Sequence, residues 1–159
     1  MLALSQTTGY AILALSCLEE SKGALMLAQD IARYTGIPLP YLSKILHSLG
    51  QSGLIHGKRG YRGGFVLAHP ASRITLMDIV EAVDGHKWEP RCLLGLEECS
   101  DERACPTHEF WKVERQRIED ELRRITLHEV ARFERMHGVR LVGWSDDHDD
   151  EKRTLGNVS

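Results

Sequence analysis

Three of the four cysteines and one histidine fall in the stretch CLLGLEECSDERACPTH, from Cys92 to His108, with the spacing C-x6-C-x5-C-x2-H. Three thiols and an imidazole are a donor set for tetrahedral zinc or for an iron-sulfur cluster. Zinc sites usually use closer cysteine pairs, so the wide spacers lean toward the larger inorganic object; reduced, unligated thiols are the plainer alternative. The ligand form is the thiolate, which a free cysteine reaches only near a pKa of about 8.5. Cys105 precedes Pro106, a residue suited to the first position of a helix, so Cys105 is expected at the N-cap, where unpaired N–H groups and the helix dipole favour a negative sulfur. His108 then falls in the first turn, within reach of a metal shared with Cys105. Gly95 lets the loop from Cys92 to Cys99 fold around such a centre. Cys17 stands apart, and its plain reading is a small buried apolar residue.

A second chemistry is written in charge. The chain has 23 acidic residues and a formal net charge of −3, yet none of the acids lies between Asp30 and Asp78, while Arg33, Lys44, Lys58, Arg59, Arg62 and Arg73 do. Such a basic middle suits a polyanion. Each of these side chains alone is more often a solvated surface residue, and His47, His56 and His69 carry no individual weight.

The elements that must position these groups are mostly helical. Ser5 is expected to cap a first helix whose apolar face, Tyr10, Leu13, Ala14, Leu15 and Leu18, ends near Ser21. Two further helices follow, separated by a break at Gly36, Ile37 and Pro38, with Ala28, Ile31 and Ala32 on the inner face of one. Leu42, Ile45, Leu46 and Leu49 form that of the other, which Gly50 and Gly53 close. This is a helix-turn-helix pattern. The outer face of its second helix, Tyr41, Ser43, Lys44, His47 and Ser48, offers the polar and cationic groups that base edges and phosphates require. Leu54-Ile55 and Phe65-Val66-Leu67 flank a loop of glycine and arginine, a hairpin wing with Lys58, Arg59 and Arg62 at its tip.

Thr75 and Asp78 then form a capping box for a helix running to about Val83, stopped by Asp84-Gly85, and Thr126 and Glu129 form another for a last short helix with Val130, Phe133 and Met136. Between them Trp111, Ile118, Leu122 and Ile125 mark a stripe on a long helix, expected to meet a second copy of the chain; packing back on its own domain is the alternative.

The expected fold is therefore mainly α with a small β wing. It comprises a winged helix-turn-helix DNA-binding domain over residues 1–85, a cysteine-containing cluster loop over 86–105, and a dimerisation helix with a short terminal helix over 106–140. Residues 145–159, with the run DDHDDEKR, are expected to be a disordered acidic tail. No charged-then-apolar leader opens the sequence and no apolar run approaches the roughly 18 residues that span a bilayer, so a soluble, cytoplasmic protein is expected. An enzyme is not. The glycines of GKRGYRGG follow neither a Walker nor a dinucleotide pattern, and no general base is arranged for Cys92.

From LSQTTGYAILAL through TLHEV the chain resembles the winged-helix transcription regulators that include the iron-sulfur cluster regulator IscR and the nitric-oxide sensor NsrR. The likeness is carried by DIARYTGIPLPYLSKIL, KRGYRGGFVLAHP, ITLMDIVEAVDG and the three cysteines before a long helix. It implies a homodimer binding a dyad-symmetric, double-stranded DNA operator, more a repressor than an activator, with an iron-sulfur cluster of two or four irons that senses iron, redox state or nitric oxide. Cys92, Cys99 and Cys105 would be the cluster ligands, and His108 matches the histidine that follows the third cysteine in the IscR branch. Thr8 and Gly9 stand where the nitric-oxide branch has a carboxylate before the helix 1 tyrosine. The first spacer is x6 where IscR-like chains usually have x5, and Ser43 stands where some relatives carry a carboxylate. The alternative is a zinc-binding or thiol-redox-switched regulator of the same fold.

Overall fold

The computed structural model describes residues 4–85, 92–95 and 99–138. The expectations for the rest of the cluster loop and for the acidic tail from Ser145 onward lie outside the described residues.

Among the described residues, six α-helices and one hairpin follow in the order α1 (Gln6–Glu20), α2 (Ala28–Thr35), α3 (Leu39–Gln51), β1 (Ile55–Lys58), β2 (Gly64–Leu67), α4 (Leu76–Val83), α5 (His108–Arg124) and α6 (Leu127–His137). Ser5 caps α1 as expected, its hydroxyl accepting the Thr8 N–H at 3.0 Å. From Thr8 to Leu18 every residue of α1 is buried. A helix covered on all sides is a central helix, and α2, α3, α4 and α6 pack around this one. Leu15, Leu18, Ile31, Leu42, Leu46, Leu49, Ile79 and Leu127 are fully buried in the resulting core.

The turn between α2 and α3 is made by Gly36, which adopts φ 75° and whose N–H bonds to the Ala32 carbonyl at 2.8 Å. A left-handed cap of this kind is cheap only for a residue without Cβ. Gly50 lies within the last turn of α3, and Gly53, at φ 77°, begins the descent into the hairpin. The strands pair antiparallel from Ile55 with Leu67 to Lys58 with Gly64. Met26 adds an isolated bridge to Phe65, with N···O distances of 3.0 and 2.8 Å. The wing is thereby tied to the segment ahead of α2.

Both capping boxes form as expected, Thr75 with Asp78 and Thr126 with Glu129. They also sit side by side: Leu76 N–H bonds to the Ile125 carbonyl at 3.0 Å and Leu127 N–H to the Ile74 carbonyl at 2.8 Å. The starts of α4 and α6 are thus joined across 50 residues of chain.

One expectation fails. The long helix begins at His108, with Thr107 as its N-cap; Cys105, Pro106, Thr107 and His108 form a turn closed by His108 N–H on the Cys105 carbonyl at 2.9 Å. Proline's fixed φ serves the turn here instead of the helix. The stripe, for its part, faces inward within this chain. Trp111 and Leu122 are buried, and Ile118 and Ile125 pack against the core. In this chain α4 lies against α5, and the part of the stripe formed by Ile118, Leu122 and Ile125 joins the core. Phe110 and Val113 are the large apolar residues that α5 leaves exposed.

Candidate functional site

The cysteine segment gathers its donors as two close pairs. Cys92 Sγ lies 4.0 Å from Cys105 Sγ, and Cys99 Sγ lies 3.4 Å from His108 Nδ1. Two sulfurs on one tetrahedral metal with bonds of about 2.3 Å stand roughly 3.8 Å apart, so the first pair has the separation of co-ligands. Cys92 and His108 are buried, while Cys99 and Cys105 are partly accessible. His108 is therefore close to Cys99, where the sequence had suggested Cys105.

His108 is oriented from behind. Its Nε2 lies 2.8 Å from Asp101 Oδ1, and Lys112 Nζ donates to the same carboxylate at 2.9 and 3.2 Å. A carboxylate on the far nitrogen holds an imidazole with its other nitrogen presented to a metal. Lys112 and His108 hold the Asp101 carboxyl below its ordinary range, so it stays an acceptor. Asp101 was not anticipated from the sequence. It stands in a short 3-10 turn, Asp101–Arg103, seven residues before His108, and the turn at Pro106 lies between them, so no single helix relates the two. Glu109 completes a carboxylate-rich group whose ligand atoms, with those of Asp101 and His108, lie within 4.8 Å of one another. Both acids are exposed and Asp101 already engages Lys112, so the outer role for Asp101 fits better than direct ligation.

Cys105 also has its own activator. The Thr107 hydroxyl lies 3.3 Å from its sulfur, and bonds from the Thr107 hydroxyl and backbone lower the Cys105 thiol from its ordinary value. The expected cause was the N-cap dipole. The turn at Pro106 replaces it with direct donors, which reach the same end. Cys92, Cys99, Cys105 and His108 have the donor types that an inorganic centre takes, and the structure brings them together as two pairs, with no three of the four donor atoms within 4.8 Å of one another.

The second candidate surface is the outer side of α3 with the wing. Ser43, Lys44 and His47 are exposed along α3, although the Ser43 hydroxyl donates back to the Leu39 carbonyl at 2.8 Å. Tyr41 is different. It is half-buried, its ring stands edge-on to Tyr10 at 5.6 Å, and its hydroxyl lies 2.7 Å from the Thr7 hydroxyl. On the wing Lys58, Arg59 and Arg62 are exposed. Arg62 adopts φ 54° with its guanidinium 5.5 Å from the ring centre of Tyr61, which is 87% exposed. The loop returns so tightly that a Cβ at Gly63 would stand 2.3 Å from the Lys58 carbonyl oxygen. Only glycine fits there.

Tyr61 was not expected from the sequence, where glycine and arginine marked the loop. Exposed aromatic and cationic groups on a glycine-shaped tip can stack and pair with nucleic acid.

Among the described residues no helix is long and apolar enough to cross a membrane. The family model Rrf2, described as an iron-dependent transcriptional regulator, matches residues 4–132. The helix-turn-helix-type transcriptional regulator IscR of Xenorhabdus nematophila is 33% identical over 150 residues, which cover 93% of this chain and 87% of that protein. Among solved structures, CymR, the global cysteine regulator of B. subtilis, matches with a TM-score of 0.70 at 24% identity, over 84% of this chain and 98% of its own. IscR of T. potens matches with a TM-score of 0.64 at 24% identity, over 89% and 93%. These two likenesses bear on the fold, a mainly helical winged-helix architecture with a two-stranded sheet.

Proposed function

Because the chain belongs to the Rrf2 family of iron-dependent transcriptional regulators, and its relatives regulate transcription instead of catalysing reactions, we propose that it is a homodimeric, cytoplasmic repressor carrying an iron-sulfur cluster on Cys92, Cys99, Cys105 and His108. The observation that carries the cofactor reading is the pairing of Cys99 with a buried His108 whose far nitrogen is held by Asp101. Burial excludes water from the imidazole, and the carboxylate keeps the inner nitrogen available as a lone-pair donor. When bound, the cluster supplies a centre whose integrity and oxidation state answer to iron, oxidants or nitric oxide. The chain's own part is to hold the donors on two sides of the Pro106 turn, at the very start of α5. Any rearrangement of those donors is transmitted to a helix that packs on the core.

DNA is engaged by α3 and the wing, with Ser43, Lys44 and His47 in the major groove and Lys58, Arg59 and Arg62 on the backbone or in the flanking groove. Tyr41 belongs to this surface as a support at its base. The second copy covers the apolar residues that a single chain leaves exposed beside the cysteines: Phe110 and Val113 on α5, with Leu93 and Leu94. A tenfold change in operator affinity needs a difference of only about 1.4 kcal/mol between the two cofactor states.

A zinc-binding or thiol-switched regulator of this fold is the second reading, favoured by the 4.0 Å separation of Cys92 and Cys105, which suits two thiolates on one ion. Isolation without oxygen, followed by visible and Mössbauer spectra and by iron, sulfide and zinc analysis, separates the two. A coloured protein with iron and sulfide is the expected result. Colourless protein with one zinc per chain replaces the cluster by zinc.

A further inference from the structure

The first turn of α1 carries four side chains that look in two directions. Toward the end of α4, the Asp84 carboxylate accepts the Ser5 hydroxyl at 2.6 Å and the Thr8 hydroxyl at 2.7 Å, both on Oδ2. Toward the start of α3, Thr7 shares a 2.7 Å bond with the Tyr41 hydroxyl, and Tyr10 packs its ring against Tyr41. Asp84 caps α4 and stands eight residues ahead of Cys92; Tyr41 stands three residues ahead of Lys44, on the same helix. The polar contacts are costly to leave unmade. Thr8 is fully buried and Tyr10 is 5% exposed, and a buried hydroxyl without a partner forfeits its hydration uncompensated.

A sheltered polar network of this kind admits few arrangements. Ser5 also accepts the Thr8 N–H, so a displacement of Asp84 disturbs the cap of α1 together with both hydroxyls. Thr7 lies between Ser5 and Thr8 in that same turn. Its shift is passed to Tyr41, and a helix gripped at one point of its first turn answers by rolling or sliding along its axis. For α3, that motion changes the aim of Lys44 and His47.

We propose that Asp84, Thr7 and Tyr41 are positioning residues: through the start of α1 they couple the C-terminal end of α4 to the orientation of α3 on DNA. The inference rests on the DNA-binding reading above. It does not require any of the three side chains to touch DNA.

The test uses the full chain and two probes, a duplex that the unaltered protein selects from a random-sequence pool and a scrambled duplex of equal length. Thr7→Val and Tyr41→Phe delete one bond from its two ends with little change of shape. Each is expected to weaken binding to the selected duplex about fivefold. The double variant is expected to be no weaker than either single one, because the same bond is lost. The salt dependence should keep its slope, since no phosphate contact is removed. Asp84→Asn, which keeps the shape and drops the charge, is expected to weaken binding in the same direction and to be less than additive with Thr7→Val.

A loss with Tyr41→Phe but none with Thr7→Val would mean that the phenol itself meets the duplex, and would overturn the proposal. So would lowered melting temperatures with unchanged affinities, since the network would then be structural only. If the unaltered protein selects no duplex, the DNA reading fails, and the coupling is read instead by amide hydrogen exchange. Faster exchange in α3 of Asp84→Asn at unchanged global stability would support it, and unchanged exchange there would end it.

Discussion

The surface of α3 and the wing and the cluster of donors around His108 are held in place by opposite means. The first displays exposed cations on a scaffold whose apolar core is complete: Leu42, Ile45, Leu46 and Leu49 are all buried beneath it. In the second, among the described residues, the groups hold one another by polar contacts: Cys92 with Cys105, Cys99 with His108, His108 with Asp101, and Asp101 with Lys112. A side chain that meets a mobile polyanion needs exposure and charge; one that binds a metal needs a fixed distance and shelter. The difference teaches where each half is vulnerable. The proposed DNA face is expected to fail when its core is cut, and the donor set when a single partner is exchanged.

The sharpest division comes from the thiols. Cys92→Ser and Cys105→Ser are each expected to reduce bound metal to near zero in protein isolated without oxygen, while the far-ultraviolet circular dichroism stays at its original strength; helix lost along with the metal would erase the contrast between the halves. Next, Leu46→Ala, at a site 2% exposed, is expected to cost about 3 kcal/mol of stability by transfer and cavity terms. Chemical denaturation reads it, and DNA binding falls with it because the scaffold of α3 is loosened.

A smaller effect is expected from Lys44→Ala and Arg59→Ala. Each should weaken binding by about 1–3 kcal/mol if it reads a base edge, or reduce the salt slope by about 1 if it neutralises a phosphate; unchanged affinity and slope in both variants would remove α3 and the wing as the DNA face.

The slightest effect belongs to the box at the start of α6. Hydrogen bonds from Thr126, backbone first and hydroxyl second, lower the Glu129 carboxyl. A depressed folded-state pKa contributes stability that is present above the ordinary glutamate range and is lost as pH falls through the folded value. Glu129→Gln is therefore expected to lower the thermal midpoint slightly at neutral pH and to lose that difference as the pH falls below the ordinary glutamate range.

Much of the fold was legible because its signals are local. The Ser5 cap, the boxes Thr75–Asp78 and Thr126–Glu129, the Gly36 break and the inner face of α3 each depend on residues within one or two turns of each other. The candidate site was legible only as a set of donors. Its pairing was not, since Cys99 meets His108 across nine residues of loop and turn, where no period relates position to direction. Pro106 misled for a related reason: the same fixed φ serves the first position of a helix and the second position of a turn, and the residues on either side decide. The stripe on α5 was rightly apolar, but periodicity states that a face is covered and leaves open by what; here Ile118, Leu122 and Ile125 meet the core of the same chain, with α4 alongside.

By itself the sequence determined the helical order, the basic and acid-free middle and the chemistry of three thiols and an imidazole, because composition and short-range spacing act before any distant part of the chain arrives. Only the tertiary structure decided that Asp101 stands behind His108, that Thr107 attends Cys105, and that Asp84 reaches the first turn of α1. Those contacts join groups by direction and distance in space, and a hydrogen bond a few ångströms long has no counterpart in the order of residues until the core has brought its ends together.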